Sequence, residues 1–140
     1  MRNHLIILIA SLLLGCTAGF ELNSVKIDTL FHDSNSKVWI MNQHIVDSVN
    51  IAPYNWHEKN LVIFFNTGKV YFIPVKALGE QLPLVGSFYV DSDEKRMDIY
   101  INEQDWVLRM PYVSEDSVML VHTENSEIKQ DFQIKPFPEY

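Results

Sequence analysis

From Lys37 onward, hydrophobic and polar positions alternate in short runs broken by turn-forming residues, the texture of β-strands rather than helices. The first run covers residues 38–46 and is led by Trp39. Leu61-Val62-Ile63-Phe64-Phe65 and a run over residues 69–75 follow, joined by Asn66-Thr67-Gly68. Two β-branched and aromatic runs with a short glycine-containing link spell a hairpin. Residues 86–90 and 96–101 flank Asp91-Ser92-Asp93-Glu94-Lys95, and residues 106–112 and 117–122 flank Ser114-Glu115-Asp116, which predicts two more hairpins. The pattern closes over residues 128–135 with strict alternation. Ile128, Gln130, Phe132 and Ile134 fall on one side of that strand, and Lys129, Asp131, Gln133 and Lys135 on the other. Residues 51–60, with Pro53 and Asn55, and residues 76–85, with Gly79 and Pro83, read as connections.

This amounts to about eight strands joined by links too short for crossover helices, and parallel pairing needs connections of roughly a dozen residues. The expected fold is therefore all-β, an antiparallel up-and-down barrel whose closure removes exposed strand edges. Ahead of it, Ile27, Leu30 and Phe31 share one face of a short helical lead-in. The two runs of the first hairpin are apolar on both faces. Either a second layer such as the lead-in helix covers them, or they line an apolar cavity. Small eight-stranded barrels hold one small ligand or fill with their own side chains. Trp39, Phe64, Phe72, Tyr89 and Trp106 are the candidates for a pocket wall or for a filled core, packed aromatics being core more often than ligand cage.

The N-terminus follows a different rule. A short head, Met1-Arg2-Asn3-His4, precedes an apolar stretch from Leu5 to Leu14 that ends in Gly15-Cys16. A positive head, an apolar middle and a small residue form the layout of a secretory signal. The stretch is about half the ~20 residues of a membrane-spanning helix. Leu13-Leu14-Gly15-Cys16 resembles the lipobox of bacterial lipoproteins, which implies cleavage before Cys16 and a diacylglycerol on its sulfur. Cys16 is the only cysteine in the chain, and lipidation accounts for an otherwise unpaired thiol in an exported protein. Two or three acyl chains would make that anchor effectively permanent. The expected divisions are a signal peptide over 1–15, a lipidated tether and helical lead-in over 16–36, the barrel over 37–136 and a tail over 137–140. Thr17 is not an aspartate and Thr17-Ala18-Gly19-Phe20 carries no acidic run. By analogy with bacterial sorting rules, the expected location is the cell envelope, on the outer membrane facing the periplasm.

Composition narrows the partners. Residues 16–140 are enough for one domain, burying about two-thirds of its unfolded surface. Hydrophobic residues make up 47% and aromatics 12% of the chain, which excludes disorder. Loss of the leader removes Arg2 and no acidic group, leaving 10 basic against 18 acidic side chains and a net charge of about −8. An acidic chain without a basic cluster is a poor partner for nucleic acid or anionic lipid, so the expected membrane contact is the N-terminal lipid.

Catalytic and metal chemistry find little support. His32, His44, His57 and His122 are widely spaced, and no pair has the spacing that presents two ligands on one helix face. There is no Gly-x-Ser-x-Gly elbow and no free cysteine after lipidation. Asp91, Asp93 and Glu94, like Glu115 and Asp116, fall in turns, where solvated loop tips are the simpler reading than a desolvated acid–base pair. No catalytic residue, metal or cofactor is expected.

Several segments together resemble the lipocalin-like lipoproteins common in Bacteroidota: Ser36-Lys37-Val38-Trp39-Ile40, Phe64-Phe65-Asn66-Thr67-Gly68-Lys69-Val70-Tyr71-Phe72, Gly86-Ser87-Phe88-Tyr89-Val90-Asp91-Ser92-Asp93, Trp106, and Ser114-Glu115-Asp116-Ser117-Val118-Met119-Leu120. Lys37 stands where true lipocalins carry the glycine of Gly-x-Trp. The resemblance implies a barrel of the lipocalin type with Trp39 closing one end. The expected role is binding in the cell envelope, of a small apolar, uncharged or cationic molecule in the barrel mouth. The alternative from another class is a protein-interaction lipoprotein (an inhibitor, immunity or assembly factor) with a filled barrel.

Overall fold

The computed structural model describes residues 27–138. The leader, Cys16 and most of the tether lie outside the described residues, as do positions 139–140. A six-residue helix, α1 (Ile27–His32), leads into nine strands: β1 (Ser36–Val46), β2 (Val49–Asn50), β3 (Asn60–Phe65), β4 (Lys69–Pro74), β5 (Leu84–Asp91), β6 (Arg96–Ile101), β7 (Gln104–Val113), β8 (Val118–His122) and β9 (Gln130–Pro136). Each barrel strand pairs antiparallel with the next, and β9 returns to pair with β1 from Trp39↔Pro136 to Val46↔Gln130. The result is a closed eight-stranded up-and-down barrel, with β2 added as a short ninth strand on β1.

Turn chemistry fixes the registers. Asn66-Thr67-Gly68 links β3 to β4, with Gly68 at φ 80° and its N–H donating to the Phe65 carbonyl at 3.0 Å. Asp91 Oδ1 accepts from the backbone N–H groups of Asp93 and Glu94 at 3.1 and 3.0 Å, which closes the β5–β6 turn. Two links are tighter than their sequences suggest. Asp47-Ser48 and Asn102-Glu103 both adopt left-handed conformations at both residues, the geometry of two-residue hairpins that match strand twist. The first creates β2 in the short stretch between the run over 38–46 and the connection over 51–60, where the sequence pattern predicts no strand. The second lets β7 begin at Gln104, two residues before Trp106. Likewise β5 starts at Leu84, inside the stretch that reads as a connection.

The main core runs down the barrel axis. Val62, Phe64, Val70, Met97, Ile99, Leu108, Met110, Val118, Leu120 and Ile134 point inward and are almost fully buried. One end is plugged by α1, which packs against β1, β3 and β5. Its Phe31 meets Trp39 at 5.7 Å and Phe64 edge-on at 5.1 Å between ring centroids. The two-faced apolarity of the first hairpin thus has a mixed answer. Val62, Phe64, Val70 and Phe72 serve the core. Outside it, Leu61 and its register partner Ile40 are buried apart from the main core, and Phe65 packs on Tyr71 at 4.8 Å. The helix closes an end of the barrel rather than covering its side.

Two register shifts shape the wall. In β1 the pairing with β9 slips between Met41 and Gln43, so Met41 faces Ile134 while His44 faces Phe132. This bulge turns His44, rather than Gln43, toward the axis. In β7 a shift between Arg109 and Tyr112 contains Pro111, where a missing N–H breaks no ladder bond.

Candidate functional site

The barrel is filled at the α1 end and open at the other. The alternation of β1, β3, β4, β6, β7 and β9 carries apolar side chains inward through the middle of the barrel. Near the far rim the inward positions become His44, Asn60, Pro74, Gln104 and Gln130, which cannot interlock as Leu and Ile do. A cup of about 480 Å³ remains there, within the size range of small-molecule pockets. Beneath it the space among Val62, Phe64, Ile99, Leu108 and Leu120 shrinks to about 10 Å³, too little for any ligand. Floor and core are therefore one continuous packing.

Aromatic rings make the floor. Trp106 and Phe132 lie nearly parallel, 17° apart with centroids at 5.7 Å, and Phe72 meets Trp106 edge-on at 5.4 Å. His44 leans over Phe132 at 5.0 Å. Met41, Ile101, Pro74 and Leu84 complete the apolar wall, and Leu82 overhangs the rim at 95% exposure. Polar groups sit higher: Asn60, Gln81, Asn102, Gln104 and Gln130. His44 Nε2 is 2.7 Å from Gln130 Oε1, and the Trp106 indole N–H reaches Gln104 Oε1 only at 3.5 Å. Among the described residues no Asp, Glu, Lys or Arg lines the cup.

Of the five aromatic candidates read from the sequence, two reach this site. Phe72 and Trp106 stand on its floor. Phe64 is fully buried below it, against Phe31 and Phe88. Trp39 is fully buried at the opposite, plugged end, its indole N–H donating to the Phe31 carbonyl at 3.1 Å. Tyr89 is 62% exposed on the outer face, across from Asp98. The reason is alternation: Phe88 and Val90, its neighbours, take the inward positions, Phe88 opposite Ile99 and Val90 opposite Met97. Beside Asp98, the Arg96 guanidinium pairs with it and with Glu94, and the Asp98 charge raises the arginine's pKa. This charged outer cluster is remote from the cup chemistry. Cys16 lies outside the described residues.

Phe132, His44, Gln104 and Gln130 are site residues that the aromatic reading omits. Phe132 and Gln130 were within reach, since strict alternation sets them on the same side as Ile134. His44 was not, because only the β1 bulge aims it inward. Among the described residues no group of three histidines, cysteines or carboxylates is arranged to hold a metal ion. The His122–Asp131 pair, at 2.7 Å, joins β8 to β9, and among the described residues no serine, threonine or cysteine is bonded to it. No protein-family model matches the chain, and no curated protein matches it either.

Proposed function

We propose that this protein is a lipid-anchored binding protein of the bacterial cell envelope that carries a small, largely apolar molecule in the open end of its barrel. One observation carries the reading: a barrel packed solid at one end keeps a cup of about 480 Å³ at the other, floored by Phe72, Trp106 and Phe132. A chain that needed only a stable core would extend the packing to both ends, because unfilled space forfeits contact energy. Placed polar groups over an apolar floor are the usual composition of a small-molecule site.

The anchoring part rests on Gly15-Cys16 and the apolar leader before it. Its geometry is compatible with access. The chain enters the barrel through α1 at the plugged end, so a lipid on Cys16 would join the domain opposite the cup. Ten residues lie between Cys16 and Ile27, so the eleven Cα-to-Cα steps reach at most about 40 Å at roughly 3.3–3.6 Å per residue. The mouth is then free to face away from the bilayer.

Native mass spectrometry of the full chain purified from its own membranes tests the binding role. A retained small molecule, lost when Trp106 is replaced, is the expected result. A protein that carries no adduct and gives no saturable response to any small apolar compound would refute it. A second reading has its own support in the apolar rim of the mouth, where Leu82 is 95% and Leu84 58% exposed. Such a rim suits docking to another envelope protein, and a specific protein complex formed without ligand would favour that role.

A further inference from the structure

We infer that the cup takes an uncharged molecule built on a flat ring system and bearing an amide or hydroxyl group near its solvent-facing edge. The inference rests on the binding role proposed above and specifies its ligand.

Charge is the first constraint. Among the described residues the only titratable side chain lining the cup is His44, and it is engaged with Gln130 at 2.7 Å. A carboxylate or phosphate brought onto the floor would find no lysine or arginine, and an ammonium would find no carboxylate. Burying a charge without a partner is strongly unfavourable. Fatty acids, phospholipid headgroups and amines are therefore disfavoured, whatever their apolar parts contribute. The anchor makes this discrimination useful, since a lipid-tethered protein lives beside a great excess of charged amphiphiles.

The shape of the floor is the second constraint. Trp106 stacks on the buried Phe132, 17° from parallel, and itself stays half-buried at the cup floor with Phe72 edge-on beside it. Flat rings gain offset-stacked and edge contacts there beyond simple area burial. A flexible alkyl chain gains only the area and loses rotational freedom.

The carboxamides supply the third. Asn60, Gln81 and Asn102 make no side-chain hydrogen bond to protein among the described residues, and each offers both donor and acceptor. With its oxygen bonded to His44, Gln130 retains a free amide N–H pair. The Trp106 N–H, held by Gln104 only at 3.5 Å, is poised for a better acceptor. Neutral groups that donate and accept at once fit this ring, and a plain hydrocarbon would leave it unused.

A matched series of probes tests the class: naphthalene-2-carboxamide, 2-naphthoate, 2-naphthylmethylamine and decalin-2-carboxamide, titrated calorimetrically into the full chain in a neutral detergent against a detergent blank. The flat neutral amide should bind at least about tenfold more tightly than each of the others. Gln104→Lys, at an exposed rim position, should raise naphthoate affinity about tenfold and bring it level with the amide. Naphthoate, the amine or the saturated amide binding as well as naphthalene-2-carboxamide would overturn the ligand class while leaving the cup as a binding site. So would a Gln104→Lys protein whose preference is unchanged. If no probe binds but the native protein retains another molecule, the class is wrong and the binding role stands. If none binds and nothing is retained, both fall.

Discussion

The indole N–H of Trp39 donates to the backbone carbonyl of Phe31 at 3.1 Å, and both residues are fully buried. The bond ties the last turn of α1 to the first strand of the barrel. It also satisfies a carbonyl that a helix of six residues leaves without an intrahelical partner. The plug is therefore fastened by the same ring that fills the space beneath it.

Trp39→Ala should lose both functions of that ring. Truncating a buried tryptophan costs about 3–5 kcal/mol, a large part of the roughly 5–15 kcal/mol that holds a domain together. Trp39→Phe keeps most of the volume but strands the Phe31 carbonyl, at about 1–3 kcal/mol. Urea denaturation should rank wild type above Trp39→Phe above Trp39→Ala. Equal midpoints for all three would remove Trp39 from the core.

Gly86 lies in β5 where the wall comes too close for a side chain. A Cβ there would collide with the backbone carbonyl oxygen of Tyr100 and stand 2.8 Å from the Cβ of Ile101. Backbone has little freedom to retreat, so Gly86→Ala should cost about 1–3 kcal/mol as an overpacking defect. Thermal melts of the variant should show the loss. An unchanged melting temperature would mean that β5 and β6 are less tightly apposed.

Asp131 holds the end of β8 by two bonds, accepting from the His122 backbone N–H at 3.0 Å and lying 2.7 Å from its Nδ1. Both bonds fall on Oδ1, so Asp131→Ala removes the shared acceptor and should destabilise by about 1–3 kcal/mol. Asp131→Asn, which retains one carbonyl oxygen, should lose less. Denaturation midpoints that reverse this order would show that these bonds do not hold the end of β8.

The proposed lipid on Cys16 has a direct chemical test. Only a thiolate accepts the diacylglycerol thioether, so Cys16→Ser should abolish labelling by a radioactive fatty acid and release the protein from membranes. Undiminished labelling sinks the anchor. Protease added to intact cells should leave the wild-type domain whole if it faces the periplasm, and its digestion would place it on the outer surface.

Much of this protein was legible without its tertiary structure. Period-two alternation and short polar links were enough for an antiparallel all-β chain of about eight strands, because a strand buries one face whatever its neighbours are. The helical lead-in, with Ile27, Leu30 and Phe31 on one face, followed from spacing alone. Even the outward direction of Tyr89 was available, since Phe88 and Val90 face the apolar Ile99 and Met97 across the hairpin, whereas Tyr89 faces Asp98.

Three decisions belonged to the tertiary structure. Pattern distinguishes the two faces of a strand but not the two ends of a barrel, so nothing local separates Trp39 and Phe64 in the plug from Phe72 and Trp106 on the floor. That depends on where α1 seats after closure. His44 enters the cup only because the β1–β9 register slips between Met41 and Gln43, and a slip is a property of two strands together. The cup itself exists because inward-facing amides from β3, β7 and β9 meet at one rim. Each is an unremarkable polar residue in its own strand, and only closure of the sheet, through pairs some ninety positions apart such as His44 and Phe132, brings them around a common space.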